Sequence, residues 1–175
     1  VPSVAVYNAI DPEFGRAAAA SAYAHRNLGR FNVLMIASLR DYKGINELLG
    51  LASSVEEQQD IRFELVVNED AAGISKWLGG RRLPGNLQIF PRTTDTASFY
   101  RRASVVLNLS RVDQWVETFG LTILEAMAFG VPVIVPTVGG PVELVEDGRQ
   151  GFLGDSRDAA HLRKRLLALH ADPDL

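Results

Sequence analysis

The sequence predicts a doubly wound, Rossmann-like α/β domain, in which one parallel sheet carries helices on both faces. Three observations lead there. The nearly unbroken apolar run Phe-Asn-Val-Leu-Met-Ile-Ala-Ser at 31–38 reads as a strand buried on both faces, as the strands of a parallel sheet are, and Ser-Val-Val-Leu-Asn-Leu at 104–109 reads as another strand. Between such runs the apolar residues move to helical spacing, as in Ile45, Leu48, Leu49, Ala52 and Val55. Strand and helix then alternate through short polar links, the rhythm of successive βαβ units.

Taken in order, the run at 4–7 is short and apolar and stops at Asn8-Ala-Ile-Asp11-Pro12, a turn-forming cluster. Residues 16–26 are alanine-rich and favour helix, and Leu28-Gly29-Arg30 ends it. The strand at 31–38 and the link Arg40-Asp-Tyr-Lys43-Gly44 lead into a helix over 45–58. A second strand follows at 62–67, a short helix at 71–78 and a third strand at 86–90, before Pro91. A helix at 94–101, a strand at 104–109, a helix at 119–129 and a strand at 131–135 continue the pattern, with Gly130 at the helix C-terminal cap and Pro132 after it. Gly139-Gly140-Pro141 opens a short helix, Asp147-Gly148 turns the chain, and residues 151–153 form a last strand. The helix at 158–170 sets Ala159, Leu162, Leu166 and Leu169 on one face. The expected division is an interdomain linker with a leading helix at 1–30 and a single Rossmann-like domain at 31–175.

The 175 residues, 47% hydrophobic and 22% charged, suffice for one well-cored domain. A net charge of -3 argues against a general nucleic-acid binder, whose affinity rests on neutralised phosphates. With no cysteine there is no disulfide framework and no thiolate metal site, which is compatible with a reducing compartment, and a cytoplasmic location is expected. The N-terminus lacks the basic, apolar and small-residue pattern of a signal peptide. The longest apolar stretch, 119–135, is broken by Glu125, Gly130 and Pro132 and is not a membrane span.

Ligands of an open parallel sheet bind beyond the C-terminal ends of its strands, which singles out three loops. The first places Arg40 and Lys43 between a strand and a helix. The second, 110–120, carries Glu117, and the third contains Gly139 and Gly140. Glycines at helix starts, where free N–H groups and the helix dipole favour anions, together with the two cations suggest a phosphate site. Taken singly, the glycines are also ordinary turn chemistry and the cations ordinary solvated charges. The stretch Glu117-Thr-Phe-Gly-Leu-Thr-Ile-Leu-Glu125 holds two carboxylates with seven residues between them. Glu125 is the one charge on an apolar helix, with no Lys or Arg three or four residues away. Burying it requires donors, so it faces water or an external donor such as a sugar hydroxyl.

The segment from Glu117 to Glu125 resembles the paired-glutamate motif of retaining GT-B glycosyltransferases of family GT4. So do Val138-Gly139-Gly140-Pro-Val-Glu143-Leu-Val-Glu-Asp147-Gly148-Arg-Gln-Gly151-Phe-Leu, Asp41-Tyr-Lys43-Gly44-Ile45 and Asn8-Ala-Ile-Asp11. The resemblance covers nearly the whole chain and implies the C-terminal, donor-binding half of a GT-B enzyme. It implies that Glu125 binds the ribose hydroxyls and Glu117 the donor sugar. The backbone of Phe119, Gly120 and Leu121 would face sugar and phosphates, with Gly139 and Gly140 nearby, and Lys43 would neutralise the leaving diphosphate. The donor would be a nucleotide diphosphate sugar, used without metal or other cofactor. The acceptor, a sugar, lipid or other hydroxyl compound, would sit largely on a separate N-terminal domain. The family's arginine five residues before the lysine is Ser38 here, with Arg40 as the candidate substitute, and its glycine-rich turn after the second strand reads Asn68-Glu69-Asp70.

Alternatives are a sugar-nucleotide epimerase or phosphorylase of the same fold, and a non-catalytic nucleotide- or carbohydrate-binding module. An NAD-binding domain is disfavoured, since no G-x-G-x-x-G follows the strand ending near Ser38. Asp172-Pro-Asp174 has no strand before it and is not read as a metal motif. His25, His161 and His170 share no ligand spacing. Arg163-Lys-Arg165 reads as a solvated helix face and leaves open a weak contact with an anionic membrane. Trp77 and Trp115 are core or rim residues, and Trp115 stands close enough to Glu117 in sequence to lie against a sugar.

Overall fold

The computed structural model describes residues 8–21 and 29–172. Within them the strands are β1 (Phe31–Ala37), β2 (Ile61–Val67), β3 (Leu87–Phe90), β4 (Val105–Leu107), β5 (Val133–Val135) and β6 (Gly151–Leu153). The helices are α1 (Pro12–Ala19), α2 (Ile45–Ser54), α3 (Ala71–Leu78), α4 (Ala97–Arg102), α5 (Leu121–Ala128), α6 (Pro141–Leu144) and α7 (Ala159–Ala171). The strands make one sheet in the order β3-β2-β1-β4-β5-β6, every pair parallel. The doubly wound sheet read from the apolar runs is therefore the observed fold.

The period of two along a strand explains why the central runs are apolar throughout. In β1, Val33 and Met35 enter the core shared with α2, α3 and α7, while Leu34 enters the core shared with α1, α4 and α5. Strand β4 divides the same way, with Val105 and Leu107 on the first side and Val106 on the second. Each of these strands must satisfy two apolar layers at once. The one charge on the inner part of β2, Glu64, is met by Arg102 at 3.0 Å.

Several element ends differ from expectation. The cluster at 8–12 is read from sequence as a turn, but α1 already begins at Pro12, with the Asp11 carboxylate accepting from the N–H groups of Glu13 (2.8 Å) and Phe14 (3.2 Å). Proline at the first helical position lacks only an N–H that the helix would not have used. Helix α2 stops at Ser54 rather than at 58 because Val55 leaves helical geometry (φ -126°) while staying fully buried. Apolar periodicity here outlasts the helix. The turn after β2 serves the next helix, since Asp70 caps α3 by accepting from Gly73 N at 2.8 Å.

The strand-like run at 4–7, the later part of the alanine-rich segment with His25, and residues 173–175 lie outside the described residues. Among the described residues, no helix is long and apolar enough to cross a membrane.

Candidate functional site

The sheet order reverses between β1 and β4. The connections from β1 run outward to β2 and β3, whereas β4 lies on the other side of β1 and leads to β5 and β6. At such a point the loops leaving the two central strands diverge and leave a crevice. A cleft of about 220 Å³ occupies it, walled by Ile36 and Ser38 from the end of β1, Asn108 and Ser110 from the end of β4, and Gly120 and Thr122 at the start of α5. Lys43 and Glu117 also line it.

Lys43 and Glu117 meet in this cleft. The Lys43 Nζ donates to Glu117 Oε2 at 2.8 Å, and the two side chains are 22% and 15% exposed. Burial pushes the Glu117 carboxyl up, but the Lys43 ammonium, the Asn108 side chain and the Phe119 N–H together hold it below its ordinary value. It is a carboxylate fixed by three donors. Asn108 is oriented in turn, because its Oδ1 accepts from Ser110 N at 3.1 Å, which turns the amide nitrogen toward Glu117. The Ser110 hydroxyl is buried without a hydrogen-bond partner among the described residues.

Two local devices bring Lys43 to this place. Residues 41–43 form one turn of 3-10 helix closed by Gly44, whose φ of 79° is left-handed. A Cβ at Gly44 would strike the carbonyl of Leu109, so only glycine lets this turn lie against the segment after β4. Arg111 fastens the same two segments. Its N–H donates to the Tyr42 carbonyl at 2.8 Å, and its guanidinium lies 3.5 Å from Glu47 and 3.0 Å from Asp113. Tyr42 and Trp115 pack with ring centroids 5.2 Å apart, and the Lys43 ammonium stands 5.8 Å from each ring. Trp115 is 44% exposed at the rim, while Trp77 packs against the core beneath α3.

The other candidates have different surroundings. Arg40 is exposed and does not line the cleft, whereas Ser38 does. Gly120 and Leu121 line the cleft, but the Phe119 N–H is already engaged with Glu117. Gly139 and Gly140 press on the backbone of the glutamate loop. The Gly140 N–H donates to the Glu117 carbonyl at 2.8 Å, and a Cβ on Gly139 or Gly140 would strike the Glu117 or Thr118 carbonyl. These two glycines permit a close approach that fixes the segment carrying Glu117.

Glu125 corrects the expectation that nothing within the chain partners it. The Tyr100 hydroxyl, from α4, donates to its Oε2 at 2.7 Å. Burial raises the Glu125 carboxyl despite this bond. Burial, the charge of Glu125 and the hydrogen bond to it push the Tyr100 phenol far upward, so it remains a donor. A partner twenty-five residues away, on another helix, is invisible to a search at three and four residues.

The two arginines of the basic helix face and His170, which the sequence reading leaves outside the site, have structural partners. Arg163 pairs with Glu57 at 3.4 Å, Arg165 with Asp147 at 3.6 Å, and His170 lies 2.7 Å from Asp60. No group of three or more potential metal ligands gathers among the described residues. Asn108, Ser110 and Arg111 do not stand out in the sequence. The one signal for Asn108 is a polar residue interrupting an apolar run just as its strand ends.

Fold and cleft together define a Rossmann-like domain with a charged, half-buried site at the switch point of its sheet. Known proteins then make the class specific. The family described as "Glycosyl transferases group 1" matches residues 22–175, and the chain belongs to that family. The chain is 33% identical over 122 residues to a sucrose synthase of Denitrovibrio acetiphilus, covering 67% of this chain and 14% of that one. It is 30% identical over 154 residues to a D-inositol 3-phosphate glycosyltransferase of Pseudarthrobacter chlorophenolicus, covering 83% of this chain and 36% of the relative. It thus spans well under two thirds of these proteins.

Among solved structures, Anabaena Alr3699/HepE in complex with UDP and glucose superposes with a TM-score of 0.70 at 21% identity, over 94% of this chain and 44% of that one. The C-terminal domain of a group 1 glycosyl transferase (LpcC) of Francisella tularensis gives 0.67 at 21% identity, over 83% and 77%. The fold is that of the C-terminal domain of GT-B glycosyltransferases.

Proposed function

We propose that this chain is the donor-binding half of a glycosyltransferase that moves a hexose from a nucleotide diphosphate sugar to an acceptor hydroxyl with retention of anomeric configuration. The observation that carries the proposal is the Lys43–Glu117 pair, a cation and an anion side by side in the cleft at the switch point. Transfer breaks the bond between the anomeric carbon and the phosphate oxygen, whose electron pair leaves with the diphosphate. The acceptor oxygen bonds to that carbon on the same face and its proton passes to the departing phosphate. Negative charge develops on the phosphate and positive charge on the sugar, and both need preorganised partners.

Lys43 is suited to the first, in a transfer proposed to use no metal and no other cofactor. Glu117 is suited to accepting hydrogen bonds from sugar hydroxyls near the second, with the backbone of Gly120 and Leu121 lining the same wall. Glu125, with Tyr100 on one oxygen, is the proposed ribose clamp. Arg40 is proposed as a second, outer phosphate contact and Gly139 and Gly140 as supports of the sugar wall. UDP is the favoured nucleotide, since one solved protein of this fold, Anabaena Alr3699/HepE, holds UDP or UDP-glucose.

The exposed apolar side chains of Trp115, Val116, Leu121, Val138 and Val142 fit a face turned toward the further domain that longer relatives have room for. On this reading residues 1–30 are the linker and leading helix from that domain, and the acceptor is bound there. The present chain alone is then expected to bind nucleotide and turn over poorly.

Thermal unfolding with UDP, GDP and ADP tests the reading. A ligand at a hundred times its Kd adds about 2.7 kcal/mol, which for a domain of this size is about 5–10 °C. One of the three should raise the midpoint by that much, and Lys43→Ala should abolish the shift. If none of them moves the midpoint, the donor-site reading fails.

A further inference from the structure

Of the described residues lining the cleft, Lys43 is the one cation and Glu117 the one anion, and they neutralise each other. A diphosphate entering the cleft competes with Glu117 for the Lys43 ammonium and, where it wins, draws Lys43 away. Glu117 would then keep Asn108 and the Phe119 N–H but lose its charged donor, in a side chain only 15% exposed. An unmatched carboxylate at that depth is unfavourable.

The geometry points to an ion-pair exchange that makes Glu117 the residue selecting an intact nucleotide sugar over the free nucleoside diphosphate. This rests on the donor-site reading above and deepens it. An intact donor supplies both replacements together, a phosphate for Lys43 and a sugar hydroxyl for Glu117, so that neither ion is left with fewer partners. A nucleoside diphosphate supplies only the first. After transfer the sugar has gone to the acceptor, Glu117 lacks its hydroxyl donors, and it reclaims Lys43. The pair then competes with the product diphosphate for the same ammonium and speeds its release.

A simple sugar contact predicts something different for removal of the charge. If Glu117 only held the sugar, Glu117→Gln would weaken the nucleotide sugar and leave the nucleoside diphosphate untouched. Under exchange, the neutral amide of that variant cannot hold the ammonium as a carboxylate does, Lys43 is free in the unliganded state, and the nucleoside diphosphate binds more tightly.

The experiment is calorimetric titration of the 175-residue chain, wild type and Glu117→Gln, with UDP against UDP-glucose, GDP against GDP-mannose and ADP against ADP-glucose. In the pair that the wild type recognises, the variant should bind the nucleoside diphosphate about tenfold more tightly. The preference for the nucleotide sugar should fall by at least that factor. Glu117→Ala, which leaves no side chain to hold Lys43, should tighten the diphosphate likewise and serves if the glutamine variant does not fold. A wild type that prefers a nucleotide sugar, with folded variants whose diphosphate affinity is unchanged or weaker, overturns the exchange and leaves the donor site standing. A wild type that binds neither member of any pair overturns both.

Discussion

Glu117 and Glu125 belong to one short stretch, yet their surroundings set them in opposite electrostatic states. Glu117 meets an ammonium, an amide and a backbone N–H and is held below its ordinary value of 4.5. Glu125 has burial against it and one neutral phenol in its favour, and is raised above the same value. The consequences for stability have opposite signs. A lowered carboxyl adds stability that is present above the ordinary value and disappears as pH falls through the lowered one. A raised carboxyl favours the folded state below the ordinary value and loses that advantage as pH rises. Glu117→Gln should therefore lower the thermal midpoint at pH 7, with the gap closing in acid. Glu125→Gln should raise the midpoint at pH 7, its amide oxygen still accepting from Tyr100, and the gain should vanish below about pH 4. Midpoints measured from pH 3 to pH 8 check both, and two variants with gaps of the same sign would contradict these surroundings.

At the scale of elements, the site depends on holding the 41–43 turn against the segment after β4, and Gly44 is where the two touch. Gly44→Ala would place a side chain in left-handed backbone, at about 1–2 kcal/mol, and push its Cβ into the Leu109 carbonyl. Backbone cannot yield as a side-chain tip can, so a total loss of about 3 kcal/mol is expected. The turn should also swing away, parting Lys43 from Glu117, and nucleotide affinity should fall with stability. Chemical denaturation and nucleotide titration of the same variant test this. A variant of normal stability with a working site would mean that the turn relaxes freely.

This scale also separates what could be read in the sequence from what could not. Lys43 and Glu117 were legible because each lies in a loop between an apolar strand run and a helix, and Glu117 also opens the stretch that resembles a known paired-glutamate motif. The glycines at 139 and 140 were legible as special, but not their role, because close approach depends on which backbone lies opposite. Asn108 and Arg111 act across loops, and the Tyr100–Glu125 bond joins two helices. Periodicity shows which face of a helix is apolar, without showing what faces it. Exposed Arg40 marks the limit from the other side, since the residue type suited a phosphate site while the turn left it outside the cleft wall.

At the scale of the whole molecule, the described residues form two cores and one sheet, and the sheet joins the cores through alternating side chains. Leu34 of β1 is fully buried on the side of α1, α4 and α5, while its neighbours Val33 and Met35 are buried on the side of α2, α3 and α7. In β1 and β4 no core residue can leave one core without disturbing neighbours that fill the other. The chain should accordingly unfold in one transition, and a cavity on one face should be felt on the other. Leu34→Ala is expected to destabilise by about 2–5 kcal/mol, the range for a leucine removed from a close-packed interior. The two tryptophans provide the readout. In a Trp115→Phe background the remaining tryptophan, Trp77, packs against the core opposite Leu34. Its fluorescence should report the full loss in urea, with the same midpoint as the far-ultraviolet circular dichroism. If the two faces were independent, the Trp77 midpoint would stay at the value of the background protein while the dichroism moved.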